Sequence, residues 1–183
     1  MKRNIFNLFI LTIVLGIGLS FTSCDDDDRG YWVEGYLDVD ISYTTDNSGN
    51  FLNSPYAYDF RDLKVENGGI NLSKVDVTDI RLTDAWIELY SAFRSGDQID
   101  GLTIWIDGVG SFTCPTYRFA SSQSKLIIDD ETAPGFYNFM QQAIRVMAYK
   151  GVISVYIGGN YNVRHTNIDV VLKNNLDILI EKY

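Results

Sequence analysis

Tyr31-Trp32-Val33-Glu34-Gly35-Tyr36-Leu37-Asp38-Val39-Asp40-Ile41-Ser42-Tyr43 decides the fold. Tyr31, Val33, Leu37, Val39, Ile41 and Tyr43 share one phase of a two-residue repeat, and Glu34, Asp38, Asp40 and Ser42 share the other. Successive side chains of a strand point to opposite faces. The pattern therefore predicts an antiparallel strand with one face on a core and the other toward water. Trp32 and Tyr36 fall on the wet phase, so part of that face is expected to be covered.

The same period recurs along the chain. Ile168, Val170, Leu172, Leu176, Ile178 and Ile180 hold one phase almost to the end; Asn174 alone interrupts it, which predicts one strand bent there or two in sequence. Leu102, Ile104 and Ile106 form another run, with Thr103, Trp105 and Asp107 outward and Gly108-Val109-Gly110 ending it. Val152 to Ile157 is a further strand, turned by Gly158-Gly159-Asn160. Thr44 to Pro55 is rich in turn formers and reads as a loop, and Tyr56 to Val65 as a less regular strand. Asn67-Gly68-Gly69 turns the chain, and Ile70 to Leu82 holds short alternating pieces. Cys114-Pro115 interrupts Phe112 to Phe119, which suits an edge strand or hairpin, and Lys125 to Ile128 is a short strand.

Asp84 to Gly96 admits two readings. Ala85, Leu89 and Phe93 could line a helix capped by Asp84 and stopped by Gly96, whereas Ile87 and Leu89 alternate with Trp86, Glu88 and Tyr90 as in a strand. The β-rich surroundings favour the strand. Leu82 and Ile87 are then out of phase, which requires a bulge or break near Asp84. One clear helix is expected at about 134–149: Pro134 fits its first position, the acids of Asp129-Asp130-Glu131 lie by its positive start, and Phe136, Phe139, Met140, Ala143 and Met147 keep helical spacing. Lys150 and Gly151 stop it.

Many short strands, frequent turn signals and one helix predict a mainly β chain folded as an antiparallel β-sandwich. The run from Val77 to Lys182, with its strand Leu102-Thr103-Ile104-Trp105-Ile106, short crossing helix and long final strand, resembles the immunoglobulin-like sandwich of uncharacterised Bacteroidota lipoproteins. That resemblance implies an immunoglobulin-like β-sandwich over residues 31–183 as a single domain.

The chain start has its own logic. Met1-Lys2-Arg3-Asn4 is a short basic segment, and Ile5 to Leu19 is almost wholly apolar. This is the layout of a secretory signal, expected over residues 1–23. The run is shorter than the roughly 20 apolar residues a spanning helix needs. Phe21-Thr22-Ser23-Cys24 resembles a bacterial lipobox, although Phe21 stands where that motif prefers Leu. The resemblance implies that Cys24 is diacylated and becomes the first mature residue, so that the protein holds to a membrane through its lipid. One acyl chain binds only marginally and two bind lastingly. Asp25-Asp26-Asp27-Asp28 reads as a solvated tether, with 24–30 as a lipidated acidic linker. An acidic run after the lipidated cysteine is also similar to the signal that sends Bacteroidota lipoproteins to the outer face of the outer membrane, which implies a surface location.

Composition bounds the chemistry. With 15 Lys and Arg against 24 Asp and Glu, the net charge is −9. That argues against nucleic acid and against anionic lipid as partners. There is one histidine, His165, and two cysteines, so most catalytic templates are missing and no disulfide framework is possible once Cys24 carries lipid. Cys114 reads as a core residue rather than a nucleophile. Asp46-Asn47-Ser48-Gly49-Asn50 resembles a fragment of a calcium loop, but the glycine is misplaced and no acid follows at the twelfth position, so it reads as a loop. No cofactor and no metal are expected.

Aromatic residues are the remaining signal. Most are expected in packing. Trp105, outward beside Thr103 and Asp107, is the best single candidate for a binding platform. Phe51-Leu52, an apolar pair in a polar loop followed by Tyr56 and Tyr58, is the other; the pair either forms a binding tip or folds back to cap the sandwich. These residues suggest a non-enzymatic binding module for a glycan or protein partner. The alternative is a structural, assembly or adhesion subunit of an envelope complex.

Overall fold

The structure, a computed structural model, describes residues 30–52, 55–65 and 76–181. Residues 1–29, with Cys24 and Asp25 to Asp28, and the expected turn and strand pieces at 66–75 lie outside it. The stretch 31–43 forms two strands rather than one, β1 (Tyr31–Tyr36) and β2 (Val39–Thr44). There follow β3 (Asn50–Leu52), β4 (Tyr56–Asp59), a 3-10 turn (Phe60–Asp62), β5 (Lys64–Val65), β6 (Asp76–Phe93), β7 (Gln98–Ile106), β8 (Gly110–Thr113), β9 (Tyr117–Arg118), β10 (Gln123–Ile128), α1 (Phe136–Lys150), β11 (Val152–Tyr161) and β12 (Asn167–Glu181).

These strands make two six-stranded antiparallel sheets, the mainly β, one-helix sandwich that the alternation predicts. In the first sheet β10, β6 and β12 run side by side; β1 and β2 pair in tandem with the far side of β12, and β5 lies outside β1. In the second, β3 and β4 pair in tandem with β11, then come β7 and the edge strands β8 and β9. The inward phases meet between the sheets. Tyr43 on β2 packs its ring 5.3 Å from Phe51 on β3 and donates its hydroxyl to the Ile157 carbonyl at 3.2 Å. Phe93 on β6 lies 5.5 Å from Tyr161 on β11.

The break between β1 and β2 has a cause on β12. That strand is continuous, and its inward phase from Ile168 to Ile180 is buried, Asn174 included. Its buried amide N–H groups need acceptors. Leu37 N–H donates to the Asn174 backbone carbonyl at 3.0 Å, and Asn174 Nδ2 donates to the Leu37 carbonyl at 3.0 Å and to the Tyr58 hydroxyl. Asn174 thus ties the interruption at Leu37 to β4 of the opposite sheet.

The required bulge is present. Asn175 pairs with Asp84 and Leu176 with Leu82, so Thr83 is the extra residue, and both Leu82 and Ile87 face the core of one 18-residue strand. Two expectations need correction. The Thr44 to Pro55 segment is not wholly loop, because β3 lies within it. Gly158-Gly159-Asn160 does not turn the chain; β11 runs through it to Tyr161. These glycines serve close approach: a Cβ on Gly159 would lie 3.0 Å from the Phe51 ring and 3.1 Å from Leu102 Cα.

The helix starts at Phe136, so Pro134 precedes it rather than occupying its first position. Asp130 does the capping from outside, accepting the N–H groups of Gly135 at 3.0 Å and Tyr137 at 2.9 Å. Phe136, Phe139, Met140, Ala143, Ile144 and Met147 face inward, and Phe112 of β8 packs 5.5 Å from Phe136. Gly151, at φ 82°, ends the helix with its N–H on the Met147 carbonyl.

Candidate binding face on the second sheet

The residues singled out in the sequence separate by strand phase. Phe51 is 3% exposed and Tyr58 1%, so both belong to the core and not to a binding surface. The idea of Phe51-Leu52 as an exposed apolar pair fails for a simple reason: on β3 the two side chains point to opposite faces. Leu52 remains outside at 67% exposure. Tyr56 is also exposed, and with Leu52 it lines an open cleft of about 820 Å³ where β2 faces β3 and β4.

Trp105 stands on the outer face of the second sheet, 42% exposed. Leu52 and Gly158 are register partners across β3 and β11, Gly158 pairs with Thr103 on β7, and Tyr156 pairs with Trp105. Gly158 is the floor of this arrangement. A Cβ there would fall 2.8 Å from Leu52 Cδ1 and 3.5 Å from Trp105 Cζ3, so the two apolar side chains converge over the space that glycine leaves. Thr103 is outward by phase yet buried, its hydroxyl 2.9 Å from that of Thr113 on β8. Ser111 is the register partner of Trp105 on β8, and it is exposed. Tyr156 was not evident in the sequence. Its outward phase was readable, but its position beside Trp105 depends on a strand register that no local pattern encodes.

Neither the indole N–H of Trp105 nor the hydroxyl of Tyr156 has a hydrogen-bond partner among the described residues. The outer face of the first sheet is different. Trp86 Nε1–H donates to Glu88 at 3.0 Å, the Tyr90 hydroxyl to Glu88 at 2.6 Å, and Lys125 Nζ to Glu88 at 2.6 Å. Burial pushes the Glu88 pKa up, but the three donors outweigh it and hold it down at about 2. Lys173 Nζ meets Asp38 at 2.6 Å, and Arg81 lies 4.2 Å from the Trp32 ring and 3.2 Å from Asp79. Arg81 thus packs on the wet-phase tryptophan of β1, whose ring stays 40% exposed and whose N–H, like that of Trp105, has no hydrogen-bond partner among the described residues.

The remaining chemical groups are engaged in structure. Cys114 is buried, and desolvation pushes its thiol up to about 12, far from the thiolate that a nucleophile requires. Asp46 accepts the backbone N–H groups of Asn50 at 2.9 Å and Ser48 at 2.7 Å, which hold its carboxyl below the usual range and make the segment a side-chain-closed turn. His165 is an exposed loop residue at φ 52°. No group of three or more His, Cys, Asp or Glu among the described residues is placed to hold a metal ion. What the face around Trp105 offers is apolar contact and hydrogen-bond donation.

No protein-family model matches the sequence, and no curated protein matches it. Among solved structures the fold is similar to the BFDV capsid protein, at 11% identity over 84% of this chain and 100% of that one, with a TM-score of 0.38. It is also similar to the Turnip Yellow Mosaic Virus structure, at 8% identity over 82% of this chain and 93% of that one, with a TM-score of 0.40.

Proposed function

We propose that the protein is a lipid-anchored cell-surface binding module, non-enzymatic, that holds a glycan or protein partner on the outer face of its second sheet. The observation that carries the binding reading is the pair of exposed Trp105 and half-buried Tyr156, whose polar atoms are free among the described residues, beside Leu52 over Gly158. Buried or half-buried Tyr and Trp usually spend their polar atom on a partner, and aromatic rings with one wet end are favoured at interfaces. The address rests on sequence alone: the apolar run Ile5 to Leu19, the lipobox-like Phe21-Thr22-Ser23-Cys24 and the acidic run Asp25 to Asp28.

Two measurements test the address. Cys24→Ala is expected to abolish incorporation of labelled fatty acid; continued labelling would remove the anchor. Replacing Asp25 to Asp28 by alanine is expected to keep the lipid but protect the protein from protease added to intact cells. For the face itself, Trp105→Ala should abolish crosslinks from the whole protein to its partner on living cells, whereas a substitution on the first sheet's face should not.

A further inference from the structure

We infer that the Trp105 face takes the ring of an uncharged sugar, so that the ligand is a neutral polysaccharide rather than an acidic or sulfated one. This rests on the face of the second sheet being the binding face. Recognition by the strand rows around Trp105 has three parts.

The first part is shape. Tyr156 is the direct cross-strand neighbour of Trp105, and Leu52 and Trp105 close over Gly158. The neighbouring outward positions carry small side chains: Ala57 on β4, Ser154 on β11 and Ser111 on β8. A row of small residues beside two rings leaves a shallow platform, on which the C–H face of a pyranose can stack.

The second part is polarity. A sugar ring presents hydroxyls at its rim, and a buried hydroxyl without a partner is costly. The Trp105 N–H and the Tyr156 hydroxyl are free among the described residues, and so are the Ser111 and Ser154 hydroxyls. The face can therefore donate and accept at the rim of a stacked ring.

The third part is charge, and it selects within the class. Residues 50–52, 56–59, 101–107, 110–113 and 152–158 contain no Lys or Arg, and their charged groups are Asp59 and Asp107. Lys150 Nζ lies against Gly108, in the turn beyond Asp107. Carboxylate and sulfate recognition uses cations, and Arg above all. These segments offer no such cation to a uronic acid or a sulfate ester, and the net charge of −9 disfavours an anionic polymer further.

The test is native affinity electrophoresis of the full-length protein in a sugar-free non-ionic detergent. The gels contain dextran, mannan or laminarin as neutral polymers, or polygalacturonate or chondroitin sulfate as anionic ones. At least one neutral polymer is expected to retard the wild type. Trp105→Ala should weaken that retardation by about tenfold or more, the size of effect expected at a central aromatic anchor. Trp105→Phe, which keeps the ring and removes only the N–H, should weaken it by a smaller factor, and Trp86→Phe should leave it unchanged. Retardation by the anionic polymers alone, or retardation indifferent to Trp105→Ala, overturns the inference. If no polymer binds, the sugar inference falls, and the cell-surface crosslink then decides the underlying reading separately. Loss of the crosslink in Trp105→Ala keeps the binding face with a protein partner, and an unchanged crosslink removes the face as well.

Discussion

Trp86 and Trp105 both stand on outward phases of long central strands, one on each sheet of the sandwich. In composition they are equivalent. In the structure they are opposites. The Trp86 N–H is bound to Glu88, which also holds Tyr90 and Lys125, so that cluster is internally satisfied. The Trp105 N–H is free among the described residues, and its neighbour Tyr156 is equally unspent. An aromatic side chain on a solvent face is therefore not a functional signal by itself, since much protein surface is apolar. The signal is an unused polar atom beside an open ring and an equally unspent neighbour, as at Trp105 and Tyr156; Trp32, whose N–H is also free among the described residues, has Arg81 on its ring instead.

The largest effect separates the platform from the core beneath it. Phe51→Ala is expected to cost about 3–5 kcal/mol through lost burial and a residual cavity. Leu52→Ala, one residue on and on the other face, should cost less than about 1 kcal/mol. Urea denaturation of both variants checks this. Equal losses would mean that Leu52 is a core residue and that the second sheet has no spare apolar surface at that point.

Next in size is Glu88→Ala. It leaves the Trp86 N–H, the Tyr90 hydroxyl and the Lys125 ammonium without their shared acceptor. Removing a charged acceptor of this kind costs about 2–3 kcal/mol. A loss below about 0.5 kcal/mol would show that water replaces the carboxylate freely, and the contrast between the faces would then carry no energetic weight.

The contrast was partly legible before the structure. Alternation in 102–106 and 168–180 gave the strands, their inward residues and the outward placement of Trp105, and in 31–43 it gave the phase but neither the break into two strands nor the exposure of Tyr31, because one buried face imposes period two wherever it occurs. Even the need for a bulge or break near Asp84 was readable, since Leu82 and Ile87 cannot both face inward without one; the register places it at Thr83. The failures share a cause. Gly158-Gly159 looked like a turn because glycine serves both turns and close approach, and only the ring of Phe51 against Gly159 tells them apart. Phe51 looked like half of an exposed pair because its strand is three residues long, too short to show a period. The break at Leu37 is decided by Asn174, 137 residues away. Tyr156 beside Trp105, and Glu88 among its donors, depend on register and packing between distant segments.

Acid should act on the first face selectively. The Glu88 pKa in the folded protein is about 2, below its ordinary value of about 4.5. A carboxylate depressed in this way contributes stability that is fully present above about pH 4.5 and is lost as the pH falls toward 2. Asp46 and Asp129 are also held low by backbone N–H groups, so the wild type has more than one source of acid sensitivity. The informative quantity is therefore the difference in melting temperature between the wild type and Glu88→Gln. It should shrink steadily between pH 5 and 2. A constant difference over that range would mean that the ionised form of Glu88 is not what the three donors stabilise.

The smallest effect is the most direct comparison of the two tryptophans. Phe keeps an aromatic body of similar breadth and removes the indole N–H. At position 86 that deletes the 3.0 Å hydrogen bond to Glu88, while the carboxylate keeps Tyr90 and Lys125. The expected cost is about 1–1.5 kcal/mol, the ordinary net value of one hydrogen bond to a charged group with part of its solvation retained. At position 105 no hydrogen bond within the described residues is lost, and the half-exposed ring still rests by Leu52 and Gly158. The expected cost there is below about 0.5 kcal/mol, as for an ordinary surface substitution. Urea midpoints at constant m-value measure both. Position 86 should thus govern folding and position 105 binding. If Trp105→Phe costs as much as Trp86→Phe, the Trp105 N–H has a structural partner after all, and the reason for placing a ligand on the second sheet disappears.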